Sequence, residues 1–297
     1  MDSRFSRNNI EDFLLYYSFY YPSRRLNKEK EAVYSFIAEK FSEDLHYPVN
    51  FDSIKVGVNK VGCCILGDLK KAQKIYIAPL DTSKITHLPF FKVYLLNEKK
   101  RNRMNVYSDG MEVLLGFAGV VSVWLISAHF LTNRMLIALI AAAFMLIYNF
   151  LQSNRFTFSR SSAMALVSVL AAEDKEMKNA YVFLDKCADS YFGLKMFLVK
   201  HKELCRKAKK LYYFDFMANG EKLLYVAKKK ENFNEADLEI VNVLANEEDL
   251  SCFEVCDNLS MIMCADQENG EYVVNKVRTA QDKHVDVVRL KKLIKVL

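Results

Sequence analysis

Two runs, Val113–Leu131 (VLLGFAGVVSVWLISAHFL) and Met135–Leu151 (MLIALIAAAFMLIYNFL), contain no Lys, Arg, Asp or Glu. Only Thr132, Asn133 and Arg134 separate them. A bilayer core takes about 20 apolar residues per helix, with roughly 17 near the lower limit. The pattern therefore predicts a transmembrane helical hairpin. A buried core hairpin of a soluble protein is the alternative, although core helices of such length normally keep a polar face.

The flanks supply an orientation. Lys99, Lys100, Arg101 and Arg103 precede the first run, Arg155 and Arg160 follow the second, and Arg134 alone lies in the connection. Basic residues near span ends stay cytoplasmic, so both soluble parts are expected on the cytoplasmic side of a cell membrane. The opening MDSRFSRNN is polar and shows no apolar segment of a secretory signal, so the hairpin is expected to insert as an internal element. Seven cysteines, an odd number without framework spacing, read as reduced thiols. Cys252 and Cys256 lack a second pair of Cys or His at zinc spacing. The net charge of +6 is modest. Its basic clusters suit an anionic membrane surface or a solvated helix face, and no nucleic-acid motif frames them.

Outside the hairpin, apolar runs alternate with helical patterns. Asn8–Tyr21 and Lys28–Leu45 read as helices, the second with Val33, Phe36, Ile37 and Phe41 on one stripe. Ile54–Val58, Gly62–Leu66 and Lys74–Leu80 read as strands. Beyond the hairpin, Ser161–Ala172, Tyr191–His201, Glu235–Asn246 and Val285–Val296 read as helices. Ala180–Leu184, Leu211–Phe214, Leu223–Ala227, Ser260–Ala265 and Glu271–Asn275 read as strands. The expected fold class is α/β, with a mixed, mostly parallel sheet covered by helices on both faces. Residues 1–110 and 153–297 form two parts of one domain, interrupted by the hairpin at 111–152, because neither part has enough strands alone. Three strands end in a carboxylate: Asp81, Asp185 and Asp215. Ligands of open α/β sheets gather at such ends; capping of the next turn is the plainer use of an Asp there.

Ala180–Glu203 (AYVFLDKCADSYFGLKMFLVKHKE), Tyr213–Val226 (YFDFMANGEKLLYV) and Lys276–Lys283 (KVRTAQDK) follow one another in an order that resembles the family-28 metallopeptidases, the two-zinc aminopeptidases. A bacterial branch of that family with membrane helices between its first two metal motifs is the most similar. The resemblance runs from about Ile54 to the C-terminus and implies a zinc-exopeptidase-like sheet and a two-zinc hydrolytic centre. The residues that it places there do not carry that chemistry. The first ligating histidine falls on Pro79, while its supporting Asp81 remains. The bridging aspartate falls on Ser159, beside Arg160, the general base on Cys187, the adjacent ligand on Ala188 and the final histidine on Arg278. Of five ligand positions only Asp215 keeps its donor. Each zinc needs about four donors, and without metal and base there is no activated water.

The sequence thus leads to a membrane-anchored pseudopeptidase with no catalytic residues, no metal and no cofactor, serving in binding or scaffolding. The expected partners are the membrane and a peptide or another membrane protein. Arg160, Lys186 and Arg278 stand at or beside the same strand ends. They suggest either a guanidinium counter-charge, Arg278 pairing to Asp215 or Asp81, or a cleft for an anion such as a peptide carboxylate. An active metalloaminopeptidase with displaced ligands such as His87 and His284 is a second reading. A third is a hairpin that associates with other membrane proteins through Ala138, Ala141, Ala142 and Ala143.

Overall fold

In strand β3 (Lys74–Pro79), Ile75 and Ile77 face one side and Tyr76 and Ala78 the other, and all four are buried. Strand β5 (Ala180–Leu184) is buried along its whole length in the same alternating way. Side chains alternate across a strand, so strands apolar on both faces require a cover on each side. The computed structural model supplies both. It describes residues 9–57, 59–83, 91–130, 134–151, 158–188, 190–218, 220–229, 238–275, 282 and 284–297.

Helices α1 (Ile10–Leu15) and α2 (Asn27–Ala38) each run on into a π-helical turn, Tyr16–Tyr20 and Glu39–Asp44. They lie on one face of the sheet with α5 (Phe158–Glu173) and α8 (Val287–Val296). Every residue of α5 from Ser159 to Ala171 is buried, and Tyr17 and Ser168 share a 2.9 Å hydrogen bond within this layer. The opposite face is covered by α6 (Phe192–Lys200), α7 (Lys202–Lys207) and a 3-10 turn at Ser251–Glu254.

The sheet contains β1 (Val49–Val56), β2 (Asn59–Leu66), β3, β5, β6 (Lys210–Asp215) and β9 (Leu259–Glu268), in the order β1-β2-β5-β3-β6-β9. The four strands β5-β3-β6-β9 are parallel, whereas β1 and β2 are antiparallel to their neighbours. Long β9 also pairs antiparallel with β7 (Lys222–Ala227), which carries β8 (Ile240–Leu244) parallel to itself. The far end of β9 turns back through β10 (Glu271–Asn275) onto β4 (Lys92–Tyr94), both pairings antiparallel. The fold is therefore mixed α/β, parallel at the centre and antiparallel toward the edges, with strands from both sides of the central helices in one sheet.

Two expectations need correction. The helix expected over Glu235–Asn246 is strand β8 where it is described: Ile240, Val241 and Val243 are β-branched, and pairing with β7 overrides the helical spacing. The helix expected at Tyr191–His201 continues beyond His201 as the short α7. The three-residue β4 carries too little pattern to be read from sequence.

Helix α3 (Glu98–Phe130) is one unbroken helix that starts well before the apolar run. It packs on α4 (Arg134–Leu151) as a helical hairpin. Gly119 leaves room for the Phe144 ring, whose edge would lie 2.7 Å from a Cβ at that position. Ile137 and Ala141 are buried, whereas Ala138, Ala142 and Ala143 are exposed. Among the described residues one helix, Glu98–His129, is long and apolar enough to cross a membrane; Met135–Phe144 is a shorter apolar helix. The sequence predicts two spanning arms; α3 and α4 do form a helical hairpin, and among the described residues one arm meets that standard.

The segment after β5 is fixed by Gly193 in the first turn of α6. Its N–H donates to the Lys186 carbonyl at 2.9 Å. A Cβ there would lie 2.0 Å from the Asp185 carbonyl oxygen and 2.8 Å from the Cys187 sulfur. Gly193→Ala is expected to destabilise the protein by about 3 kcal/mol, seen as a fall in Tm of roughly 5–10 °C in a thermal melt. A change below about 2 °C would show that this segment yields easily.

Candidate site at the carboxyl ends of the central strands

Strand β3 is followed in the sheet by β5 on one side and β6 on the other, so the order switches direction at β3. That is where ligands of open α/β sheets are held. Asp81, Asp185 and Asp215 all stand at this edge, and all three are buried.

Asp215 closes β6 and is completely buried. Its Oδ1 accepts from the Phe216 N–H at 3.0 Å, and the Tyr213 hydroxyl donates to Oδ2 at 3.3 Å. Two guanidinium groups face the same oxygen, Arg160 at 3.6 Å and Arg101 at 3.8 Å. Burial raises the Asp215 carboxyl above the usual range, while Arg160 and then Arg101 draw it back. Phe216 adopts a left-handed backbone (φ +49°), an uncommon conformation for a bulky residue. Its ring is overlaid by Arg160 at 4.8 Å and by Arg101 at 5.5 Å, and Arg101 also lies 4.3 Å over Tyr191.

Arg160, in the first turn of α5, donates to the carbonyls of Cys187 at 2.9 Å and Ala188 at 2.6 Å. The amides of those two residues donate to Asp81, Cys187 to Oδ1 at 3.0 Å and Ala188 to Oδ2 at 3.1 Å. One short segment is thus pinned through its carbonyls by a cation and through its amides by an anion. Arg24, also buried, donates to the carbonyls of Leu80, Tyr17 and Tyr21. Burial pulls its guanidinium down to about 10, against the pull of Tyr17 and Asp81. Ser159 donates through its N–H and hydroxyl to buried Asp282, at 3.1 and 2.6 Å.

Pro79, Asp81, Ser159, Cys187, Ala188 and Asp215 are therefore brought together at one edge, and every one is buried. Arg278 and His87 lie outside the described residues. Arg160 and Lys186 part company: Arg160 is 2% exposed and faces inward, whereas Lys186 is exposed. The guanidinium expected beside Asp215 is that of Arg278, outside the described residues; those that stand there are Arg160 and Arg101, the latter offered by the sequence only as a basic flank. Helical spacing contains the missed signal: Arg101, Asn105, Ser108 and Glu112 recur on one face and are all buried.

The donors among the described residues at this edge do not make up a two-zinc set. Among the described residues no three His, Cys, Asp or Glu side chains converge as a metal group. Two guanidinium groups already stand about Asp215. Cys187 is a poor substitute ligand or nucleophile, because burial and then Asp81 push its thiol well above the ordinary value. His201 lies against Asp52 at 3.4 Å, and His284 is exposed.

No protein-family model matches this chain, and no curated protein matches it. Solved structures do match in fold. A glutaminyl cyclase from Porphyromonas gingivalis superposes with a TM-score of 0.57 at 9% identity, over 97% of this chain and 93% of that one. A Zn-dependent exopeptidase from Parabacteroides distasonis gives 0.55 at 9% identity, over 99% and 95% of the two chains. The LapA aminopeptidase of Legionella pneumophila gives 0.53 at 11% identity, over 97% of this chain and 68% of its own. The chain has the zinc-exopeptidase fold, shared by aminopeptidase-like and glutaminyl-cyclase-like enzymes. At such identities the likeness establishes the fold alone.

Removing one member of the Asp215 cluster leaves a buried charge short of compensation. Arg160→Met is expected to cost about 3–5 kcal/mol in denaturant titrations. Adding Asp215→Asn should recover at least about 1 kcal/mol. Strict additivity of the two changes would show that Asp215 does not sense the guanidinium.

Asp81 gives a pH signature. Burial, as the main cause, and Asp185 push its carboxyl up to about 6, against the pull of Arg160. The folded protein thus holds this proton more tightly than the unfolded chain, where an Asp titrates near 3.9. The associated stability is greatest below about pH 4 and is lost as the pH rises through about 6. The stability of the wild type relative to Asp81→Asn should fall across that window and then level off. A flat difference would place the Asp81 titration elsewhere.

Proposed function

We propose that this protein is a membrane-anchored binding or scaffolding protein, built on the zinc-exopeptidase fold and without its metal chemistry. The observation that carries this reading is the pair Arg101 and Arg160 about Asp215. Cations occupy the neighbourhood of the one donor that the family resemblance leaves in place, and the positions it gives to the general base and adjacent ligand hold a buried thiol and a methyl group, Cys187 and Ala188. Hydrolysis on this fold needs an activated water and a base, and these residues provide neither.

The anchor rests on α3 and α4. Val113, Phe117, Trp124 and Ile126 on α3, with Met135 and Leu139 on α4, are each more than half exposed. Apolar exposure clustered on two adjacent helices marks a contact surface, and a bilayer covers it at no cost in unsatisfied backbone. The basic flank that would hold both soluble parts on the cytoplasmic side is reduced to Lys99, Lys100, Arg103 and Arg155, because Arg101 and Arg160 are committed inside the domain. Exposed Ala138, Ala142 and Ala143 also favour association of the hairpin with another membrane helix.

The test is metal content and turnover on one preparation: detergent-purified, untagged protein is loaded with zinc, cobalt or manganese, desalted and assayed. Less than about a tenth of a metal ion per chain is expected, with neither release of N-terminal residues nor cyclisation of N-terminal glutamine above the buffer rate. About two metals per chain with either activity would overturn the reading in favour of an enzyme with displaced ligands. Resistance to alkaline carbonate extraction is the expected result for the anchor, and full extraction would remove it.

A further inference from the structure

A cleft runs between α2 and the β1–β2 hairpin, three strands across the sheet from β6 and Asp215. Its wider end, about 480 Å³, is walled by Phe51, Ala38 and Cys63, and its narrower end, about 350 Å³, by Lys30, Asp185 and Lys186. Tyr34, Lys60, Gly62 and Glu31 line both. This size and mixture of an apolar wall with a few polar groups is typical of small-molecule sites.

The Tyr34 hydroxyl is buried and has no hydrogen-bond partner among the described residues. An unmade hydrogen bond on a buried group costs stability, and such groups call for an explanation. The surroundings make room for this one: a Cβ on Gly62 would lie 2.8 Å from the Tyr34 oxygen, so the glycine keeps the hydroxyl's place open. Burial and the nearby Asp185 raise the phenol's pKa, so the hydroxyl remains a donor in search of an acceptor.

The charges around it have a sign. Lys30 is paired to Asp185 at 2.6 Å, which leaves Lys60 and Lys186 against Glu31. Lys186 reaches the cleft from a left-handed backbone (φ +58°), a strained setting for lysine. The narrow end therefore has one net positive charge, suited to a monoanion. The wide end presents Phe51, 54% exposed, with its ring 5.4 Å from that of Tyr34 in an edge-on contact. Asp52 at that end is neutralised by Lys200 at 2.5 Å.

We propose that this cleft binds a small organic carboxylate with an apolar body, its carboxylate accepting from the Tyr34 hydroxyl and the Lys60 and Lys186 ammonium groups and its apolar part lying against Phe51. The carboxylate stands either at the end of a peptide or on a short fatty acid. The site is separate from the Asp215 cluster, and metal at the strand ends is not required for it.

The experiment titrates N-acetyl-phenylalanine, its carboxamide and hexanoate into the full-length protein in nanodiscs, with calorimetry and thermal melts as readouts. Saturable binding of a carboxylate is expected, with the carboxamide weaker by roughly tenfold through loss of charge-assisted hydrogen bonds. Tighter N-acetyl-phenylalanine would assign a peptide terminus, and tighter hexanoate a fatty acid; both support the site. Tyr34→Phe should weaken binding about fivefold or more while leaving the Tm of the free protein unchanged or higher, because the lost hydroxyl had no partner. Gly62→Ala should weaken binding as well. The proposal is overturned if neither carboxylate saturates by about 20 mM, if the carboxamide binds equally well, or if Tyr34→Phe lowers the Tm and leaves affinity unaltered.

Discussion

A carboxylate with no access to water, Asp215, sets the conditions for everything around it. Removing such a group from solvent is costly unless counter-charge and hydrogen bonds accompany it. Here the compensation comes from two arginines in different parts of the chain, together with the Phe216 amide and the Tyr213 hydroxyl. Neither guanidinium is in direct hydrogen-bond range of Asp215, and Arg160 spends its donors on the carbonyls of Cys187 and Ala188. The cluster consequently fixes the segment after β5 as well as balancing a charge. The amides of the same segment bind Asp81, so β3, β5, β6 and α5 are tied at one edge by electrostatics that the apolar core could not direct.

Arg101 extends that dependence to the helical hairpin. It sits in the second turn of α3, and the helix continues without a break to Phe130. Asn105, Ser108 and Glu112, on the same face, are buried as well. A polar seam thus joins the domain to the start of the apolar run, and the helix that bears the exposed apolar surface also supplies a counter-charge to the sheet. Ridges of packed side chains on a rigid helix carry displacement along its length. On the proposed membrane placement, Arg101 and the span belong to one continuous helix.

What the sequence discloses and what it hides divide along physical lines. The apolar strands β3, β5 and β6 are visible because both faces are buried, and the carboxylates that follow them are visible because strand ends are. β8 is misread because an edge strand with mixed burial lacks a clean period, and its three β-branched residues are the better guide. Arg101 is hidden for a different reason: four basic residues within five positions look like a solvated flank, and only the rotation of the helix distinguishes the inward one from Lys99, Lys100 and Arg103. Tyr34 is beyond sequence altogether, since an unpartnered hydroxyl is a property of its neighbours.

The neighbours in fold include both an aminopeptidase and glutaminyl cyclases, so a fold of this kind is compatible with different reactions and its strand order does not choose among them. The choice lies in a few side chains on the segments that follow the strands. In this chain those side chains are a proline, a serine, a thiol and a methyl group, and the positive charge beside the remaining aspartate is covalent. A guanidinium on α5 can meet the electrostatic requirement of Asp215 that a bound cation would otherwise meet, but it has no open position for water. On the proposed reading, the charge balance that holds this edge together comes from the chain's own arginines rather than from a bound cation.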